Sequence, residues 1–307
     1  MKTYELRATS NPHVFRVVDR AGEWAHYFED TTNTYLRGAT SILGRSYPKG
    51  EGFYIALKRA TPEEWDRKLS EAGDRGDAIH QFIAKILSGE QCDRHTKVLA
   101  ENNIDYRELA DDEWDAILSF ERWWNAHAPK LIAYEQTVAS LSLGYAGTLD
   151  VICRLTKSCG ARCCNCKDAV GKVALLDWKS GGGIYESYGA QVACYAYSDL
   201  SHLLHGLTVT VTGIVRIGTS HVTTGGYECK FYSQEETARN MDRFLAAKLL
   251  DDQNYRPFDP AKEIRDIPET LSLTIEREEI STVAEKPNKT RKPRVKKSTK
   301  ATKKKAV

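Results

Sequence analysis

At 307 residues, with 41% hydrophobic and 28% charged side chains, the chain is long enough to bury a sizeable core and has the balance of an ordinary soluble globular protein. No 18 apolar residues run together and the start, "MKTYELRATSNPH", carries no apolar segment, which argues against a membrane span or a secretion signal and gives an intracellular, cytoplasmic expectation. The formal charge of +2 hides a division: Lys286 to Val307 hold eleven basic residues and no acidic one, leaving 33 basic against 42 acidic residues elsewhere.

In chain order, residues 1 to 45 contain short alternating runs, "HVFRVV" and "AHYFED", that read as small strands or an irregular lead-in. A mainly helical stretch begins at Thr40. Within it, "TPEEWDRKL" carries Thr61 as N-cap, Pro62 in the first turn and Glu64 completing a capping box. "GDAIHQFIAKILSG" and "DEWDAILSFERWWNAH" continue at helical spacing, so the first half is expected to be mostly α. From Lys130 the period shortens to two, and "KLIAYEQTVAS", "YAGTLDVICRL" and "KVALLDWKS" read as successive strands. A helix over "IYESYGAQVACYAYSDLSHLL", strands over "LTVTVTGIVRIG" and "GYECKFYS", and a last helix capped by Ser233 and Glu236 follow. The order predicts an α/β domain with a mixed central sheet flanked by helices, over residues 1–265. Residues 266–285 read as a linker and 286–307 as a disordered Lys-rich tail, too poor in apolar residues to fold alone.

The strand period places chemistry. Side chains at i and i+2 leave one face of a sheet, so Asp177 and Lys179 point together and Trp178 points away. If the neighbouring strand is "AGTLDVI", Asp150 stands beside Asp177. Two carboxylates at that distance repel, and a divalent cation is the natural remedy: oxygen ligands favour Mg²⁺ or Mn²⁺. Lys179 would orient a water or meet charge developing on a phosphoryl group. Glu135 offers a third carboxylate or a solvated strand position. Gln191 and Tyr195, at i and i+4, share a helix face near Tyr188. His80, at the edge of an apolar stripe, is a structural residue or a ligand.

In their order, "RGDAIH" on an early helix, Glu135 in a strand, "GTLD", "LLDWKSG" and a helix with Q-x-x-x-Y resemble the PD-(D/E)XK nuclease superfamily, in particular RecB-like and phage exonucleases. The similarity spans roughly Thr40 to Leu250. It implies a restriction-endonuclease-like fold and a phosphodiester-hydrolysing, metal-dependent deoxyribonuclease. Exonuclease action on DNA ends or single strands in recombination, replication or repair is favoured over a structure-specific endonuclease or a non-catalytic DNA-binding protein. The resemblance implies that Asp150, Asp177, the Trp178 backbone carbonyl, His80 and Glu135 hold Mg²⁺ (or Mn²⁺), that Lys179 assists the water, and that Gln191 and Tyr195 position strand or lysine. A phage-encoded protein would act in the host cytoplasm, with a recombination or single-strand-binding protein as partner.

One segment is foreign to that pattern. "CRLTKSCGARCCNCKDAVG", an insertion at about 153–171, holds Cys153, Cys159, Cys163, Cys164 and Cys166, five of the chain's eight cysteines. Four thiols in eight residues suggest a tetrahedral Zn²⁺ site. The spacing is not that of a standard zinc ribbon, and redox-active thiols or an iron-sulfur cluster remain alternatives. In the tail, Lys292, Arg294, Lys296 and Lys297 are expected to meet the phosphate backbone of DNA with a strong salt dependence.

Overall fold

The computed structural model describes residues 4–19, 24–100, 105–161, 164–219 and 225–255. These belong to a unit spanning Met1–Arg265, from which Asp266–Val307 divide as a second. The linker and basic tail read from the sequence, with Lys292, Arg294, Lys296 and Lys297, therefore lie outside the described residues.

The chain begins with an antiparallel meander, β1 (Tyr4–Arg7), β2 (Val14–Asp19), β3 (Trp24–Glu29) and β4 (Thr34–Gly38). The small strands read from "HVFRVV" and "AHYFED" are β2 and β3; with β1 and β4 they join the main sheet, which corrects the expectation of a mostly helical first half, since helices begin only at Ala39. β1 and β4 are only four and five residues long, too short for an alternating pattern to emerge from the sequence. Helices α1 (Ala39–Ser46), α2 (Glu51–Lys58) and α3 (Pro62–Leu87) follow. α3 starts at the expected box, with Glu64 N–H donating to Thr61 Oγ1 (3.2 Å) and Thr61 N–H to the Glu64 carboxylate (3.1 Å). A small pair, β5 (Val98–Leu99) and β6 (Tyr106–Arg107), leads to α4 (Asp111–His127), which buries Ala116, Ile117, Phe120, Trp123 and His127 along one stripe.

Then come β7 (Lys130–Ser140), β8 (Tyr145–Arg154), β9 (Val173–Lys179), α5 (Glu186–Ala196), α6 (Ser201–Leu204), β10 (Val211–Arg216), β11 (Glu228–Tyr232) and α7 (Gln234–Asn254). The helix expected to run unbroken past Ala196 is interrupted. Ser198 Oγ donates back to the Cys194 carbonyl, and Asp199 accepts both the backbone N–H and the hydroxyl of Ser201, starting α6 afresh.

Among the described residues the sheet has nine strands in the order β1-β2-β3-β4-β8-β9-β10-β11, with β7 also on β8. It is mixed: β4 runs parallel to β8 and β10 parallel to β9, while the other pairs are antiparallel. β7 occupies one edge of β8 along its length, so β4 and β9 share the other edge. β4 takes Tyr145 and Ala146, β9 takes Val151 to Arg154, and the gap between them falls at Gly147–Asp150. Helices cover both faces. Leu176, Trp178, Val151 and Val215 pack with α3 and α4; Leu175, Ile152, Ile214 and α1, α5 and α7 form the opposite core. Fully burying each of Trp123, Trp178, Phe82 and Phe120 contributes about 1.5–3 kcal/mol. α7 is tied back by Asp251, fully buried and accepting from Arg37 and from Arg45 Nε (2.9 Å). Among the described residues no helix is long and apolar enough to cross a membrane.

Candidate functional site

The gap in the edge of β8 is where the carboxylates meet. Val151 pairs with Leu176 on β9 and with Tyr134 on β7, so the next position along, Asp150, stands level with Asp177 on one side and Glu135 on the other. The alternation of β8 slips here: Leu149 and Ile152, of opposite parity, both join the core under α1, α5 and α7, while Val151 faces α3 and α4. Glu135 marks the same irregularity on β7, with φ of +47°, the left-handed region that a non-glycine residue enters at a cost of about 1–3 kcal/mol. That strain turns Glu135 toward Asp150 and His80, whose ligand atoms all lie within 4.8 Å of one another.

His80 arrives from α3. Its Nδ1 is 3.5 Å from Asp150 Oδ1 and its Nε2 is 3.1 Å from the Trp178 carbonyl oxygen. Asp150 also accepts the Trp178 backbone N–H at 2.7 Å. Asp177 is almost wholly buried, with one oxygen 2.6 Å from Lys179 Nζ and the other accepting from Gln191 Nε2 at 3.0 Å. The hydroxyl of Tyr195 lies 3.4 Å from the same Gln191 nitrogen, and Lys179 Nζ lies 5.0 Å from the centre of the Tyr188 ring. The structure thus gathers His80, Glu135, Asp150, Asp177, Trp178, Lys179, Gln191 and Tyr195 at one place.

Three carboxylates face His80 and Lys179, with Arg16 acting on Glu135 from the cleft wall, and burial pulls their titrations apart. Burial, reinforced by Asp150, pushes the Glu135 carboxyl up to about 7. Burial raises Asp177 to about 6 even though Lys179 pulls the other way. Burial would raise Asp150 as well, but His80 outweighs it and holds the carboxyl below its ordinary range. Burial would lower His80, yet Asp150 raises it to about 9. Lys179 is raised above its usual value because Asp177 and Asp150 overcome its burial.

The group opens into a cleft of about 800 Å³ whose further lining includes Arg16, Arg75, Gly73 and Gly76. Arg75 is held by Asp112 (2.7 Å) and the Ser180 carbonyl (2.6 Å), and Arg16 donates to Thr148 Oγ1 at 3.2 Å. Sequence reasoning did not single out either arginine. Arg75 stands next to Gly76 on the α3 turn before His80, a spacing that could have marked it, whereas Arg16 comes from β2, whose place beside the cleft has no local mark. A Cβ added at Gly73 or Gly76 would meet nothing within 4 Å, so these helix-interior glycines, each costing about 1 kcal/mol relative to alanine, answer no packing demand and keep the cleft wall low.

At the far end of β8 and β9 lies the cysteine-bearing insertion. Cys159, Cys164 and Cys166 converge there with His127 of α4 into a group able to hold a metal ion. Cys153 does not join it: it lies in β8, fully buried, opposite Leu131 and Ala174. Cys163 lies outside the described residues. Nothing local in the sequence marks His127, which ends an amphipathic helix more than 30 residues before the first of these thiols.

No protein-family model matches the chain, and no curated protein sequence matches it.

Proposed function

We propose that the chain is a Mg²⁺-dependent deoxyribonuclease of the PD-(D/E)XK type, with a restriction-endonuclease-like core, acting on DNA ends or single strands as an exonuclease. The observation that carries this reading is the convergence of Asp150, Asp177 and Glu135 with Lys179 at a strained interruption of the sheet, facing an open cleft edged by two arginines. The donor set fits a hard cation: all are oxygens apart from His80, and burial beside Asp150 raises Glu135 despite the nearby His80 and Arg16. Asp150, Asp177, Glu135 and the Trp178 carbonyl would hold the ion. Bound there, Mg²⁺ would supply Lewis-acid polarisation of a phosphoryl oxygen and a more acidic water.

The chain's own residues do the rest. Lys179, kept protonated by Asp177, presents a fixed positive charge at the mouth of the cleft, suited to charge developing on a phosphate. Gln191 fixes the rotamer of Asp177, and Tyr195 lies against Gln191. Arg16 and Arg75 suit the flanking phosphates of a bound strand. His80 bonds the same Asp150 and Trp178 oxygens that would meet the metal, so loading the site requires it to move or give up a proton.

Digestion of end-labelled single and double strands and of closed circular DNA with Mg²⁺ tests the reading. Linear substrates should be degraded from their ends and circles spared; circle cleavage would make the protein an endonuclease of the same fold. Asp177→Ala and Lys179→Ala should each lower the rate by roughly 10²–10⁴-fold while DNA binding persists. Cleavage by both variants at the parent's rate would remove the site.

A further inference from the structure

His127 is the last residue of α4, fully buried and stacked on Trp123 at a ring distance of 4.8 Å. Its Nδ1 lies 2.8 Å from the Trp123 carbonyl oxygen, the acceptor one turn back on its own helix. That bond holds the proton on Nδ1 and leaves the Nε2 lone pair facing outward, the arrangement found behind metal-bound histidines. What it faces is sulfur. Nε2 is 3.6 Å from Cys164 Sγ, Cys159 Sγ is 3.6 Å from Cys166 Sγ, and all four atoms lie within 4.8 Å of one another.

These separations discriminate between the uses open to a thiol cluster. A disulfide needs about 2.05 Å between sulfurs, so none of these pairs is one. Four ligands around one tetrahedral ion, at about 2.3 Å for sulfur and about 2.0–2.1 Å for nitrogen, stand roughly 3.5–3.8 Å apart, close to the two measured pairs. An iron-sulfur cluster places its ligands on separate iron atoms and needs a wider mouth than this group offers. Among the described residues one further thiol stands nearby, Cys229, joined to Cys164 by a backbone β-bridge and accepting the Trp123 indole N–H at 3.1 Å, but outside the group of four.

We propose that His127, Cys159, Cys164 and Cys166 bind one Zn²⁺ in a Cys₃His site. Four protein ligands close the coordination shell, so the ion is structural and leaves no position for a substrate. It joins the insertion between β8 and β9 to the end of α4, adding to the bonds already there: the Thr156 and Lys157 N–H groups donate to the His127 carbonyl (3.2 and 3.0 Å) and the Thr156 hydroxyl to the Ala128 carbonyl (2.7 Å), while Asn165 clasps the Phe231 backbone (2.7 and 2.8 Å). The site also stands behind the carboxylate centre. His127 stacks on Trp123, and Trp123 meets Trp178 edge-on at 5.1 Å, so the zinc buttresses the residue between Asp177 and Lys179. None of this depends on the nuclease reading.

The test is elemental analysis of the full chain purified under reducing conditions, together with the absorption spectrum after exchange of the bound metal for Co²⁺. One zinc per chain is expected, with visible bands of tetrahedral cobalt and sulfur-to-cobalt charge transfer. His127→Ala, Cys164→Ser and Cys166→Ser should lose the metal, His127→Cys should keep it, and Cys153→Ser and Cys163→Ser should retain one equivalent. A parent without zinc whose thiols all react freely, or one containing iron and sulfide, overturns the proposal. So do full zinc with an unaltered cobalt spectrum in His127→Ala and loss of zinc on Cys163→Ser. Should the ligand variants fold poorly, the cobalt spectrum of the unaltered chain still decides, because octahedral bands without charge transfer refute a Cys₃His site.

Discussion

Replacing Gly147 by alanine should damage the protein out of proportion to one methyl group. Gly147 lies in the stretch of β8 where the strand edge opens, and a Cβ there would sit 2.4 Å from Tyr195 Cε1 and 2.9 Å from its hydroxyl oxygen. Tyr195 is 2% exposed, so its ring cannot yield toward solvent. The glycine is demanded by space, its φ being unexceptional. Overpacking of this kind costs about 1–3 kcal/mol. With about 2–4 °C of melting temperature per kcal/mol for domains near this size, the expected drop is roughly 4–8 °C for a cost of about 2 kcal/mol. The assay is thermal unfolding of a double-mutant cycle. Tyr195→Ala alone should cost about 3–5 kcal/mol, the range for emptying an aromatic site, but with the ring gone Gly147→Ala should add almost nothing, a coupling of about 1–3 kcal/mol. A Gly147→Ala penalty that is absent, or equal in both backgrounds, would refute the reasoning. On the nuclease reading cleavage falls as well, because a displaced Tyr195 disturbs Gln191 and through it Asp177.

Protons and Mg²⁺ should compete. Without metal, Glu135 and Asp177 keep their protons to about pH 7 and 6 and His80 keeps its proton to about pH 9, while the unfolded chain releases all three at lower pH. The folded state therefore binds more protons across that window, and the contribution of these groups to stability falls as pH rises through it. The rise in melting temperature given by Mg²⁺ over a chelator control should accordingly be small near about pH 5.5 and grow toward about pH 8; an equal rise at both would contradict the assignment. Elsewhere, Asp251→Asn would take from Arg37, which is mostly buried, its near carboxylate and leave it Asp252 at 3.6 Å, and would take the carboxylate from the partly exposed Arg45. The expected cost is about 3–5 kcal/mol, a melting shift of roughly 6 °C or more, and a shift under about 2 °C would show that the cluster does not anchor α7.

What could be read from the sequence depended on whether the signal was local. Asp177 and Lys179 were placed together by the two-residue period alone, and the structure sets them 2.6 Å apart. The capping boxes at Thr61 and Ser233 worked because cap and partner are three residues apart. Residues brought together by tertiary structure were harder. Glu135 could not be told from a solvated strand position, because what turns it toward Asp150 is a backbone irregularity that leaves no mark in an otherwise regular run, "KLIAYEQTV". Arg16 enters the cleft only because the N-terminal meander joins the sheet through β4; the run "HVFRVV" marks its strand but not which sheet that strand joins. His127 was invisible for a different reason. The last turn of an amphipathic helix gives a histidine an adequate apolar role, and only the fold shows its free nitrogen turned onto three sulfurs.

The two candidate metal groups sit at opposite ends of one antiparallel strand pair, and their chemistry separates them as their position does. At the open end of β8 and β9 the group is two carboxylates and His80, mostly hard ligands at the wall of an open cleft. At the connected end they are thiols and an imidazole, which favour a softer ion and leave it no free position. Between them runs a packed line, His127 on Trp123 on Trp178, ending at the carbonyl that His80 bonds. The insertion thus acquires a physical reason. The strand that carries Asp177, Trp178 and Lys179 is paired with β10 as far as Lys179 but with β8 only as far as Leu176, so a zinc at the connection of β8 and β9 would anchor the side of β9 on which the carboxylates meet.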